Sequence, residues 1–230
     1  MPDSLTPTSL QLASPSGPLD ALWTSPPSPQ AALVLAHGAG AGMRHNFLAE
    51  LAARLHDQGI AVLRFQFPFM QSGSKRPDSP AIAHGALQTA VREAARLAPG
   101  VPLFAGGKSF GGRMASQAQS AGLLADAQGL VFVGFPLHPA GKPGTERARH
   151  LAEVTVPMLF LQGTRDALAD LALVREVVQP LHRATLHVVE GADHAFHVLA
   201  RSGRKDSEVL QELVEVASAW MLSAAVRAAA

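Results

Sequence analysis

The sequence predicts an α/β protein built on a mainly parallel sheet with helices on both faces. Segments that are apolar at nearly every position, such as 31–36 and 156–161, alternate with segments whose apolar residues recur at helical spacing. Strands without a polar face are expected where helices cover both sides of a sheet. Polar and glycine-rich stretches follow these strands, where such sheets bind their ligands. The chain has 230 residues, 47% of them apolar, with no internal repeat and no domain-sized linker. One domain over 1–230 with a single substantial core is the expectation.

The first thirty residues are rich in proline and serine. Segments 10–13 and 19–23 flank Ser14-Pro15-Ser16-Gly17-Pro18 and read as a hairpin at a sheet edge. A strand over 31–36 then runs into His37-Gly38-Ala39-Gly40-Ala41-Gly42. Asn46 is the expected cap of a helix with Phe47, Leu48, Leu51 and Leu55 on one face, closed by Gly59. The next strand covers 60–67, followed by a polar loop over 71–78. Ser79-Pro80 supplies a cap and a first-turn proline for a helix carrying Ile82, Leu87, Val91, Ala94 and Leu97.

Segment 101–104 is a strand leading to Gly106-Gly107-Lys108-Ser109-Phe110-Gly111-Gly112, and a helix follows over 113–120. Further strands are expected over 129–135, 156–161 and 184–189, with helices near 168–178 and from Ser207 onward. The last helix spaces Val209, Leu213, Val216 and Trp220 at helical intervals.

Gly107, Ser109 and Gly111 form G-x-S-x-G between a strand and a helix. In that setting a serine sits on a sharp, strained turn with its hydroxyl above the sheet, and the flanking glycines are expected to press on each other. A phosphate-binding loop ending in Gly107-Lys108-Ser109 is excluded, because its first glycine would be Pro102. Gly38, Gly40 and Gly42 miss the dinucleotide spacing at Met43.

A serine hydroxyl needs a base. His194 follows the last strand, with His197 and His187 as rivals. Asp166 follows the strand before it, as the acid that orients the imidazole; Asp170 is the substitute. The oxyanion formed from a carbonyl would meet the N–H of Phe110 and that of Ala39, with Gly40 the alternative. Lys108 and Arg113 read as members of structural ion pairs, and His138 with Lys142 as a surface loop. The bland readings are a helix-capping serine at 109 and a helix-capping aspartate at 166.

The net charge is +1 with dispersed charges, which excludes a basic nucleic-acid surface. The ten histidines are scattered, so no metal is expected, and no cofactor motif is present. Cysteine is absent, which removes disulfides and a cysteine nucleophile. No signal peptide and no membrane-length apolar run are read, so a cytoplasmic, membrane-free protein is the expectation.

Taken together, the chain resembles an α/β-hydrolase of the small dienelactone-hydrolase-like branch. It is similar to the subfamily that includes the hydrolase-like domain of a subunit of the non-specific-lethal chromatin complex. The residues carrying this are His37-Gly-Ala-Gly40, Arg64-Phe-Gln-Phe-Pro-Phe69, Gly106 to Arg113, Phe135 to Pro143, Gly163-Thr-Arg-Asp166 and Asp193-His194. The order Ser109, Asp166, His194 is the order of that fold. The resemblance implies the fold, triad roles for these three residues and a hydrolase acting on a small-molecule acyl substrate. Only 137–153 stands where many relatives insert a lid, so an open, shallow site is expected. A small ester or thioester is the leading substrate class. The alternatives are a small serine peptidase and a catalytically silent binding or scaffold module.

Overall fold

The computed structural model describes residues 6–229, with side chains to residue 225. It begins with a hairpin in which β1 (Thr8–Ser14) pairs antiparallel with β2 (Gly17–Thr24), from Thr8 opposite Trp23 to Ser14 opposite Gly17. Pro15 and Ser16 make the turn, and Gly17, at φ 103, opens β2 behind it. β1 forms one edge of the sheet, and β2 joins the hairpin to it through antiparallel pairing with β4.

The remaining strands are β3 (Ala31–Ala36), β4 (Ile60–Phe65), β5 (Leu103–Lys108), β6 (Leu130–Val133), β7 (Met158–Gly163) and β8 (Ala184–Val189). All six run parallel, and the full order is β1-β2-β4-β3-β5-β6-β7-β8. Every residue of β3 and β4 is buried. Alternate positions of β3 feed two cores: Ala32, Val34 and Ala36 point to one, Ala31, Leu33 and Leu35 to the other. Each buried valine or leucine contributes about 1.5–3 kcal/mol of transfer free energy, which is why no polar residue is tolerated along β3.

The helices are α1 (Asn46–Asp57), α2 (Pro68–Gln71), α3 (Pro80–Leu97), α4 (Phe110–Ser120), α5 (Leu171–Val178) and α6 (Asp206–Ala229). Leu48, Leu51 and Leu55 of α1 pack with Val209, Leu213 and Ala217 of α6 in one core. Leu87, Val91 and Ala94 of α3 join Met114, Ala115 and Ala118 of α4 in the other. The β6–β7 connection holds a 3-10 helix, Glu146–Glu153, and no inserted domain. No helix among the described residues is long and apolar enough to cross a membrane.

Several local expectations are corrected. The cap of α1 is His45, whose Nδ1 accepts from the Phe47 N–H at 3.3 Å; Asn46 is already helical. Ser79 occupies the cap position of α3 but its hydroxyl makes no capping bond, so Pro80 alone sets that start. Ile82 is 40% exposed, because it lies in the first turn of α3, before the helix settles onto the sheet. The strand 60–67 ends at Phe65, since Pro68 starts α2.

Candidate active site

Ser109 lies between the end of β5 and the start of α4, with φ 50 and ψ −113. A non-glycine residue held there costs roughly 1–3 kcal/mol, and the surroundings must impose it. They do so through close approach to β3. A Cβ at Gly111 would lie 2.7 Å from the carbonyl oxygens of both Ala36 and His37, and one at Gly107 would collide with the Ala36 carbonyl. The two glycines thus press on the end of the neighbouring strand, a correction to the expectation that they press on each other.

The His194 ring bridges the serine and the aspartate. Its Nε2 lies 2.8 Å from Ser109 Oγ, and its Nδ1 lies 2.7 Å from Asp166 Oδ2. A carboxylate only accepts, so Nδ1 carries the proton and Nε2 is left to accept from the serine hydroxyl. Asp166 comes from the turn after β7 and its side chain is fully buried. Gln162 Nε2 donates to Oδ2 at 2.5 Å, and the Leu168 N–H donates to Oδ1 at 2.8 Å. Gln162, at the end of β7, escaped the sequence reading. Its signal was an amide in an otherwise apolar strand, four residues before the acid.

The rival residues are occupied elsewhere. His187 Nε2 lies 2.7 Å from Glu212 Oε1, and His197 Nδ1 lies 2.7 Å from Asp206 Oδ2. Asp170 caps α5 by accepting from the N–H groups of Ala172 and Leu173. His138 is buried, not in a surface loop: its Nδ1–H donates to the Pro139 carbonyl and its Nε2 accepts from the Asp170 N–H.

The expected ion pairs of Lys108 and Arg113 are absent among the described residues. Lys108 Nζ donates to the His194 carbonyl instead. Arg113 is half-buried beside Arg147, and desolvation together with that like charge pushes its guanidinium below its usual range.

Ala39 lines the same cleft as Ser109, and a Cβ on its neighbour Gly38 would stand 3.6 Å from Ser109 Cβ. Among the described residues the Ala39 N–H has no acceptor. The Phe110 N–H opens α4, where no carbonyl one turn earlier in the helix can receive it. His37 anchors this loop. Its Nδ1–H donates to the Gly38 carbonyl at 2.7 Å, and its Nε2 accepts from the Phe67 N–H at 3.0 Å. Burial lowers its pKa to about 4, so the ring stays neutral and holds both bonds. The Phe110 ring packs edge-on against Phe67 at 5.3 Å and Phe69 at 6.0 Å, under the elbow.

The cleft above Ser109 has a volume of ≈ 570 Å³ and is walled mainly by apolar groups, among them Phe47, Leu48, Ala167 and Leu168.

Residues 29–222 match the family described as "Alpha/beta hydrolase domain". Among solved structures, the chain is similar to a serine hydrolase of Xanthomonas campestris described as lacking a lid, with 23% identity and a TM-score of 0.73. That match covers 94% of this chain and 96% of the other. A dienelactone hydrolase of Anabaena variabilis aligns at 18% identity and TM-score 0.77, covering 95% and 97%. Est1E of Butyrivibrio proteoclasticus aligns at 13% identity and TM-score 0.72, covering 94% and 98%. At these identities the structural likenesses establish the fold.

Proposed function

This chain belongs to the alpha/beta hydrolase family, and on that premise we propose that it is a serine hydrolase cleaving small carboxylic esters or thioesters through an acyl-enzyme on Ser109. The observation that carries this reading is the unbroken relay from Ser109 through His194 to Asp166, at 2.8 and 2.7 Å.

As Oγ attacks the substrate carbonyl carbon, its proton passes to His194 Nε2. The imidazolium that forms is stabilised by Asp166, whose carboxylate is held in place by Gln162 and the Leu168 N–H. Negative charge on the former carbonyl oxygen is received by the N–H groups of Phe110 and Ala39. His194 then hands its proton to the departing alcohol or thiol, leaving the acyl group on Ser109. Water attacks that ester with His194 again as base, the acid leaves, and the serine regains its proton.

The apolar wall of the cleft suits the carbon skeleton of such an ester. Est1E is described with ferulic acid bound, which supports an acid of that size as a product here.

A fluorophosphonate probe should label Ser109, and Ser109→Ala should abolish the labelling. A series of p-nitrophenyl esters of rising chain length, run beside thioesters and short peptides, identifies the leaving group and separates esterase from peptidase. Folded protein that neither labels nor turns over any of them would overturn the reading and favour a silent binding module.

A further inference from the structure

Lys108 immediately precedes the nucleophile, yet the mechanism above makes no use of it. Its Nζ donates to the backbone carbonyl of His194 and stands 5.3 Å from the centroid of the Phe196 ring. Both partners belong to the loop that carries the base. That loop is held against its backbone preference, because Phe196 has φ 65, a genuine outlier for a bulky side chain. Packing enforces it: the residue is 3% exposed and its ring stacks on Phe47 at 5.9 Å. Gly134 makes room on the other side. A Cβ there would come 3.1 Å from Lys108 Nζ and 3.6 Å from His194 Cε1.

We propose that Lys108 is a positioning residue for the His194 base: its ammonium ties the His194 carbonyl and the Phe196 ring to the strand carrying Ser109, and so keeps the imidazole within reach of the serine hydroxyl. This rests on the hydrolase reading above. The charged groups facing the ammonium are Asp166, after β7, and Asp193, beside His194 after β8; His45 and Arg165 line the same cleft.

Burial lowers the lysine to about 8 from its ordinary 10.5, with Asp166 and Asp193 pulling the other way. Above that pH the neutral amine is a weaker donor and has lost its attraction to the ring face, so the tie slackens. The fold is not weakened by the same event. Between about pH 8 and the ordinary lysine range the unfolded chain binds this proton more fully than the folded one, so the ionisation favours the folded state as pH rises. Alkaline loss of activity at undiminished Tm is therefore the signature.

The test follows p-nitrophenyl acetate turnover against pH in the wild type and in Lys108→Met, which keeps the stem and removes donor and charge. The wild type should lose kcat above about pH 8 while Tm holds. Lys108→Met should show kcat reduced about 10–100-fold near neutrality, the scale on which small misplacements act, with KM nearly unchanged and no alkaline limb near pH 8. A variant with wild-type kcat and the same limb overturns the proposal. So does raised KM at unchanged kcat, which would make Lys108 a substrate contact. If Lys108→Met does not fold, the wild type alone decides: a Lys108 amine whose acylation rate titrates in the ordinary lysine range overturns it, and one titrating with kcat supports it. If the wild type neither labels nor turns over, the hydrolase reading has failed instead. Hydrogen exchange over 190–197 still tests the tie: faster exchange in Lys108→Met upholds it, and unchanged exchange overturns it.

Discussion

Gln162 and His194 converge on one oxygen of Asp166, the amide nitrogen at 2.5 Å and the imidazole Nδ1 at 2.7 Å from Oδ2. The same amide accepts from the Phe135 N–H through Oε1 at 3.0 Å, so it links the end of β6 to the acid. Gln162→Leu removes both bonds and leaves a buried N–H unpaired. We expect a loss of about 1–3 kcal/mol in urea-denaturation stability. We also expect kcat several-fold lower as the carboxylate gains freedom; unchanged stability and kcat would contradict this account of the amide.

Asp166→Asn should leave the fold intact and cut turnover by about 10³–10⁴-fold. An amide facing Nδ1 no longer enforces the tautomer that leaves Nε2 free to accept. Fluorophosphonate labelling should slow in parallel, and single-turnover rates measure it.

Gly111→Ala places a methyl 2.7 Å from the carbonyls of Ala36 and His37. The first turn of α4 or the end of β3 must move, at about 1–3 kcal/mol for overpacking. Labelling of Ser109 should slow beyond what the lost stability explains, because the Ala39 N–H moves with β3.

Acid should destabilise the protein partly through His150. This ring, 2.7 Å from the Ser116 hydroxyl, is lowered to about 4 by burial, then by Arg113 and His84. The unfolded chain therefore takes up this proton first. Stability from this site is complete above about pH 6.5 and is lost as pH falls toward about 4. His150→Gln, which can still bond Ser116, should flatten the fall of Tm over that window. His37, also lowered to about 4, should retain its share.

The sheet, its helices and the three relay residues were legible because each leaves a local mark. Apolar runs mark strands, 3.6-residue spacing marks helices, and Ser109, Asp166 and His194 each follow a strand end. Less legible was whatever depended on distant neighbours. Lys108 and Arg113 read as ion-pair members because a cation in a core usually needs an anion. The sequence could not reveal that a backbone carbonyl and an aromatic ring would serve Lys108. Gly107 and Gly111 were recognised as obligatory, yet the surface that excludes their side chains belongs to β3, some seventy residues earlier. His138 does lie in a loop, as the surrounding prolines and glycines suggest, but it is buried and not on the surface. Only the folded chain shows its ring accepting from Asp170.

The β6–β7 connection, whose one helical element is the 3-10 helix Glu146–Glu153, has a kinetic consequence. With no domain inserted there to swing aside, the proposed catalysis has no need of an oil–water boundary to start. Rates on a short-chain ester should rise hyperbolically with dissolved substrate, without a jump when droplets or micelles appear.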